Sequence, residues 1–310
     1  MISKDIAVTT HAFGLSTSFL AEYGTGGRVI TYCAEYDALP DIGHACGHNL
    51  IATSSIAAFF GVVEALRISD FPGRVRLLGT PAEEGGGGKI KLIHAGAFKD
   101  TDAALMIHPT TPQANGDSGV AYGTCLASMR ITAVFKGHAT HAGSTPWLGA
   151  NALDSATLSY VAIGMLRQQI RPDDRINVVI KANENSRVNI IVDSSAVECN
   201  IRCPTFAEVR GLKDRVMRCF DGAAMATGCT VELIDRWTKT ILQHIEFGLI
   251  IITSDIPYAE LRPNKTLCAE FTRSMDELGE HFTCEFSNIA RGSWGTDMGM
   301  DCSSPQNISW

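Results

Sequence analysis

The stretch Ala34–Asn49 limits the possible folds of this chain more than any other. It reads Ala-Glu-Tyr-Asp-Ala-Leu-Pro-Asp-Ile-Gly-His-Ala-Cys-Gly-His-Asn and separates two apolar runs of different character. Arg28–Cys33, with Val29, Ile30, Thr31 and Tyr32, has strand composition. Leu50–Leu66 is apolar on nearly every face and is expected to be a buried helix. The polar loop between them places Cys46 and His48 just ahead of a helix N-terminus. On a helix these side chains would diverge by about 200°; on an extended loop they share one side. A thiolate and an imidazole aimed the same way form half of a transition-metal site. Taken alone, the tripeptide reads equally as a buried cysteine beside a helix-capping histidine.

The pattern then recurs. Arg74–Thr80 is a strand that delivers Pro81-Ala82-Glu83-Glu84 and four glycines, Gly85–Gly88. Lys89–Ala97 has the pattern of a short helix, and Ala103–Ile107 that of a strand ending at His108-Pro109. Such alternation with apolar strands indicates an α/β sheet, in which chemistry collects beyond the strand C-termini. Cys46/His48, Glu83/Glu84 and His108 all follow a strand. Adjacent residues of an extended segment face opposite sides. One glutamate can therefore bind metal while the other faces substrate as a general base. The glycines permit a sharp turn and close backbone approach. Glu83-Glu84 by itself is equally a solvated acidic turn; together with the other ligand types at strand ends it points to a metal site.

A second kind of segment begins near Leu126. Ile131–Lys136 is a strand, Asn151–Gln169 a helix with Asn151 as N-cap, and Arg175–Ala182 and Val188–Arg202 are strands. Phe206–Thr227 is a helix ended by Gly228, and Thr230–Arg236 a strand. The order β-α-β-β-α-β is that of the ferredoxin-like split unit. The expected fold class is thus α/β: a catalytic domain with a mixed sheet flanked by helices, plus an inserted ferredoxin-like α+β domain. Residues 1–126 and 239–310 are assigned to the first and 127–238 to the second. Thr17–Tyr23 is a short strand in an opening segment that resembles the middle of a domain. Leu242–Asp255 has an apolar run without helical period, Asn264–Leu278 is helical, and Asp301–Trp310 has no pattern.

Composition excludes some functions. A length of 310 residues with 45% hydrophobic and 19% charged residues suits a globular chain with two cores. A net charge of −7 argues against nucleic acid or an acidic membrane as the main partner. Met1–Thr10 lacks the basic and apolar regions of a signal peptide. Leu50–Leu66 is short for a membrane span and contains Glu64. A cytoplasmic, reducing location with free thiols among the ten cysteines is expected. Cys199 and Cys203 have no second pair to make a zinc knuckle. Gly85–Lys89 is not a phosphate loop. Gly116-Asp117-Ser118-Gly119 resembles a serine-protease nucleophile loop but has no matching histidine segment. A Cys46 nucleophile with His48 as base is disfavoured because so near a base seldom reaches in line.

Several motifs in this order carry a specific resemblance: Glu35-Tyr36-Asp37-Ala38-Leu39-Pro40, Gly43-His44-Ala45-Cys46-Gly47-His48-Asn49, Pro81-Ala82-Glu83-Glu84-Gly85, His141-Ala142 through Pro146, Gly149-Ala150-Asn151-Ala152 and Thr296-Asp297-Met298-Gly299. Together they resemble the aminoacylase/carboxypeptidase-like metallopeptidases. The amidohydrolase branch, with p-aminobenzoyl-glutamate hydrolase and the β-alanyl-lysine dipeptidase type, is the most similar. The resemblance covers roughly Thr9–Trp237 and, more weakly, Asn264–Gly299. It implies two divalent metal ions, zinc or manganese, held by Cys46, His48, Glu84 and His108. Glu83 would be the general base toward a metal-activated water. His141 would stabilise the oxyanion across a homodimer built through the inserted lid domain. Asn189 and Arg202 would contact a dipeptide or N-acyl amino acid, and His44 and His138 would be supporting residues.

The chain also departs from the pattern. Family members carry a helix-bearing segment ahead of the position of Met1, and they continue past Thr-Asp-Met-Gly to a last metal-binding histidine. No histidine follows His281 here, so one ligand is expected to be missing. Two readings follow: a metal-dependent amidohydrolase, or a truncated non-catalytic relative that dimerises or binds metal without turnover.

Overall fold

Burial alternates along Arg28–Ala34, with Val29, Thr31 and Cys33 facing inward, so this segment is built as a strand packed on one face. The computed structural model describes residues 5–182, 186–234, 256–288, 290–292 and 295–299. It divides into two units, Met1–Cys125 with Ala259–Trp310, and Leu126–Tyr258.

The first unit opens with β1 (Ala7–Thr10), β2 (Phe19–Thr25), β3 (Arg28–Ala34), α1 (His48–Ile68), β4 (Gly73–Gly79), α2 (Gly88–His94) and β5 (Ala103–Leu105). They form a mixed sheet in the order β1-β2-β4-β3-β5. β3 runs parallel to both β4 and β5, while β1 and β2 are antiparallel to their neighbours. Three adjacent parallel strands bring their C-terminal ends to one edge. The turn from β2 into β3 depends on Gly27 (φ +58°), where a Cβ would lie 2.0 Å from the Pro72 carbonyl oxygen. Short strands β6 (Gly119–Val120) and β7 (Gly123–Cys125) close this part.

α1 is longer than the apolar run suggested, because it starts at His48 and continues to Ile68. By length and composition it is long and apolar enough to cross a membrane. The expectation of burial on nearly every face is corrected. Ile51, Ser55, Phe59 and Val63 form one buried stripe, and Phe59 and Val63 pack against Ala34, Val75 and Leu77. Leu50, Phe60 and Ile68 are 57%, 44% and 79% exposed. A helix laid on a sheet meets it with one face only.

The second unit contains β8 (Ala127–Lys136), α3 (Ala152–Leu166), β9 (Arg175–Ala182), β10 (Ser194–Cys203), α4 (Phe206–Thr227) and β11 (Thr230–Ile234). Its antiparallel sheet has the order β11-β8-β10-β9. Inward residues such as Ile131, Phe135, Val197 and Ile201 meet Ile163, Val216 and Phe220 of the two helices. Phe135 and Phe220 pack edge to face with centroids 6.2 Å apart. Asn151 caps α3 by accepting from the Leu153 N–H, and Gly228 (φ +70°) ends α4.

The strand expected over Val188–Arg202 begins only at Ser194. The preceding backbone bonds a neighbouring loop instead of β9: Ala142 N–H donates to Asn189 O, Ile191 N–H to Thr140 O, and Gly137 N–H to Asp193 O. The first unit is completed by α5 (Lys265–Glu277), capped by Asn264, and by β12 (Phe282–Thr283) and β13 (Ala290–Gly292), which pair in parallel with β6 and β7. The runs Leu242–Asp255 and Asp301–Trp310 lie outside the described residues.

α4 is started by a reciprocal capping box. Glu208 N–H donates to Thr205 Oγ1 at 3.3 Å, and Thr205 N–H donates to Glu208 Oε2 at 3.1 Å. Thr205→Ala is expected to lower stability by about 1 kcal/mol, read as a lower urea midpoint at unchanged slope.

Candidate metal centre

The site is assembled where the parallel strands end. After β3 the chain places Glu35, fully buried, and Asp37. It then turns into α1 through Gly47, which is left-handed (φ +80°) and so close to Pro109 that a Cβ would lie 2.5 Å from its ring. That approach seats the Cys46 loop beside the loop after β5, with Cys46 Sγ 3.7 Å from His108 Nε2. After β4, Ala82 takes a left-handed conformation (φ +63°). The glycine run folds back on it, and Gly88 N–H donates to Ala82 O at 3.1 Å. A Cβ on Gly88 would lie 1.6 Å from Pro81 O, so this wrap requires glycine. Glu83 is thereby buried, while the Glu84 side chain is partly exposed.

Hydrogen bonds fix both imidazoles. His48 Nδ1 lies 3.0 Å from Asp37 O and 3.2 Å from Asp37 Oδ1, both acceptors, so Nδ1 carries the proton. His108 Nδ1 donates to Pro109 O at 2.7 Å. Each Nε2 is left with its lone pair, the arrangement of an imidazole whose outer N–H is anchored while the inner nitrogen binds a metal. His48 Nε2 is buried and makes no hydrogen bond among the described residues. It faces Glu35 Oε2 at 3.5 Å, Glu83 Oε2 at 3.8 Å and Glu84 Oε1 at 3.9 Å. The ligating atoms of Cys46, His48 and His108 lie within 4.8 Å of one another, as do those of Glu35, His48 and Glu83. An orphaned buried nitrogen ringed by a thiol, a second imidazole and carboxylates fits a divalent cation.

The electrostatics agree. Burial, then Glu84, Glu83 and Glu35, push the Cys46 thiol up to about 12. A raised thiol disfavours the free thiolate and so works against the nucleophile reading. Burial, then Glu35 and Asp297, push the Glu83 carboxyl up to about 9, against the opposing pull of Lys89. Lys89 is fully buried. Its ammonium contacts Glu35 Oε1 and lies 2.6 Å from Asp297 Oδ1, while its backbone N–H donates to Asp297 Oδ2 at 2.9 Å. Burial pulls this ammonium down, but Asp297 and Glu35 outweigh it and hold it well above the ordinary lysine range.

Of the residues singled out from sequence, Cys46, His48, Glu83, Glu84 and His108 converge within the first unit. His141, Asn189 and Arg202 belong to the second. His141 is exposed and bridges Ile190, and Ala142 N–H donates to Asn189 O at 2.9 Å. Gly143 N–H donates to His141 Nδ1 at 3.2 Å, so the imidazole proton sits on Nε2 as an available donor. Arg202 is half-buried on β10 opposite Ser128 and Arg175. His44 and His138 are exposed. Sequence reasoning assigned no role to Glu35, Asp37, Lys89 or Asp297. The signal for Asp37 was present, since it is an acid just beyond a strand of the same edge. It also accepts the Glu84 N–H at 2.9 Å through Oδ2 and so orients two elements at once.

A family model described as peptidase family M20/M25/M40 matches residues 33–299. The chain is 39% identical over 302 residues to Xaa-Arg dipeptidase of Mus musculus, covering 94% of this chain and 64% of that protein. It is 34% identical over 247 residues to a p-aminobenzoyl-glutamate hydrolase polypeptide of Escherichia coli, covering 74% and 50%. It thus spans less than two thirds of the length of these relatives. Among solved structures it resembles aminobenzoyl-glutamate utilization protein from Klebsiella pneumoniae (TM-score 0.66, 19% identity, 92% and 66% covered). It also resembles a dinuclear metal-binding peptidase of the M20 family from Bacillus subtilis (TM-score 0.67, 19% identity, 98% and 76% covered). At these identities the structural likeness shows the fold.

A carboxyl whose folded value is raised stabilises the fold fully below its ordinary value, 4.5 for Glu83, and that contribution is lost as pH rises through about 9. Chelator-treated protein is therefore expected to melt at steadily lower temperature from pH 5 to pH 9. Glu83→Gln should flatten that slope, as should a saturating divalent cation, with calorimetry across the pH series as the check.

Proposed function

The chain belongs to peptidase family M20/M25/M40, and from that premise we propose a metal-dependent amidohydrolase that cleaves the amide bond of a dipeptide or N-acyl amino acid. The observation that carries the reading is the orphaned His48 Nε2 facing carboxylate oxygens beside the Cys46–His108 pair. Cys46, His48, Glu84 and His108 would hold two divalent cations, zinc or manganese. A divalent cation there supplies Lewis-acid chemistry, making water more acidic and polarising a carbonyl.

The protein's own groups do the rest. Asp37 keeps the His48 proton on Nδ1 and fixes the ring. Glu83, set on the buried side of its strand end, takes the proton of the attacking water and returns it to the leaving amine nitrogen. From the other copy of the proposed homodimer, His141, with Nδ1 already accepting from Gly143, would present Nε2–H to the developing oxyanion. Asn189 and Arg202 offer an amide and a guanidinium to the carboxylate end of the substrate. The relatives' names suggest two substrate classes: Xaa-Arg dipeptides first, from the higher identity, then acyl-glutamates. A cytoplasmic homodimer built through the second unit completes the proposal.

Purified protein is expected to contain about two divalent cations per chain by elemental analysis, falling to one or none in Glu84→Ala. Glu83→Gln should keep the metal and lose about 10²–10⁴-fold in kcat. His141→Ala should lose about 10²–10³-fold. Folded wild-type protein without bound metal, or with metal but no turnover on a panel of Xaa-Arg, β-alanyl and N-acyl substrates, would leave only the non-catalytic reading. A monomer by light scattering would refute the dimer.

A further inference from the structure

Glu35 has no role in the scheme above, yet its position is unusual. It stands one residue past β3, is fully buried, and divides its oxygens between two environments. Oε1 contacts the Lys89 ammonium. Oε2 makes no hydrogen bond among the described residues and faces His48 Nε2 at 3.5 Å. Because the His48 proton is committed to Asp37 through Nδ1, Nε2 presents a lone pair. Two acceptors thus face each other in a closed space, an arrangement relieved by a proton or a metal cation between them.

The spacing suits such a cation. Ligands about 2.0–2.2 Å from a small divalent ion stand about 3.3–3.6 Å apart at the tetrahedral angle. Glu83, the proposed base, stands beside this pair: one potential ligand atom each of Glu35, His48 and Glu83 lies within 4.8 Å of the others, and all three residues are buried. Pairing with Lys89 does not account for Glu35 by itself. Asp297 already provides that ammonium with a carboxylate at 2.6 Å, so the buried trio carries one negative charge in excess. Such a buried excess is neutralised either by a proton or by a bound cation, and the spacing to His48 suits the cation.

We propose that Glu35 is itself a ligand of one of the two divalent cations, binding through Oε2 while Lys89 clamps Oε1. This rests on the two-metal reading above. It adds to that ligand set an oxygen donor from the end of β3 and gives Lys89 a positioning role. With Oε1 held by a fully buried ammonium, the carboxylate cannot turn away from the cation.

The test uses the full chain, stripped by chelator and titrated with Mn²⁺ while free Mn²⁺ is followed by electron paramagnetic resonance. A parallel Co²⁺ titration follows the thiolate-to-cobalt absorption that reports Cys46. Wild type is expected to take up two Mn²⁺ per chain. Glu35→Gln should lose one of them or bind it about tenfold or more weakly, with the cobalt–thiolate band retained. Glu35→Asp keeps a charge beside Lys89 but draws the oxygens back by one methylene, and it should show the same loss. If Glu35→Gln does not fold by circular dichroism, Glu35→Asp decides. A folded variant that binds two Mn²⁺ with wild-type affinity overturns the assignment of Glu35 alone, because the wild-type cobalt band and stoichiometry still stand. A wild-type chain that binds neither ion overturns the two-metal reading, and this proposal with it.

Discussion

Three segments distant in sequence meet at one buried ammonium, and the first unit depends on that meeting. Lys89 lies in the first turn of α2, Glu35 follows β3, and Asp297 lies in the returning part of the chain; their charged ends are all shielded from water. Taking these groups out of water costs several kcal/mol for each ion, an amount recovered only where geometry is good and the remaining bonds are made. Asp297 meets that condition, because both its oxygens are used, one by the Lys89 ammonium and one by the Lys89 backbone N–H. Glu35 meets it only halfway. The contact therefore locks the returning segment onto α2, yet it leaves a charge directed at His48.

The other constraint is topological. β3, β4 and β5 are parallel neighbours, so Asp37, Glu83, Glu84 and His108 leave the sheet on the same edge. Parallel order alone does not place atoms to within an ångström, however. That task falls to the Asp37 carboxylate, which holds the His48 ring through one oxygen and the Glu84 backbone through the other. It also falls to the glycines, which let Pro109 approach Gly47 and let the loop after Glu84 lie against Pro81. The arrangement crowds acids that repel one another. Burial first, and then that repulsion, raises the Glu83 carboxyl and the Cys46 thiol, and a cation would oppose both shifts.

Much of this was legible in the sequence, for physical reasons that also explain what was not. Some capped ends were clear: Asn151 sits next to the helix it starts, and Gly228 ends α4 where φ > 0 serves, whereas the Thr205 capping box of α4 went unread. The residues at strand ends were clear because apolar alternation locates strands and the polar residues after them. What failed was whatever depends on partners remote in the chain. Glu35 and Lys89 are 54 positions apart, and Lys89 and Asp297 are 208 apart. No local pattern shows that a lysine after a glycine run will be buried. Val188–Asp193 carries β-branched residues, yet it bonds the loop around Thr140, a choice invisible to periodicity. The outer face of α1 is apolar in sequence and exposed in this unit, so apolarity did not translate into burial.

The donor set itself is lopsided. Sulfur and nitrogen gather on the Cys46–His108 side of His48, and carboxylate oxygens gather on the Glu35–Glu83 side. Thiolate and imidazole suit zinc, whereas carboxylates suit manganese and other hard ions. His48 Nε2 has one lone pair and can serve only one of two cations, so a two-cation centre here would present unequal environments to its ions. Under the proposed two-cation reading, the choice between zinc and manganese would turn on how many oxygens reach the second environment. Because Lys89 holds one Glu35 oxygen, the other is kept at a fixed distance from His48, and the oxygen-rich side cannot relax away when the wrong ion enters. If Glu35 is a ligand as proposed, a lysine that touches neither substrate nor metal would contribute to which metal the site accepts.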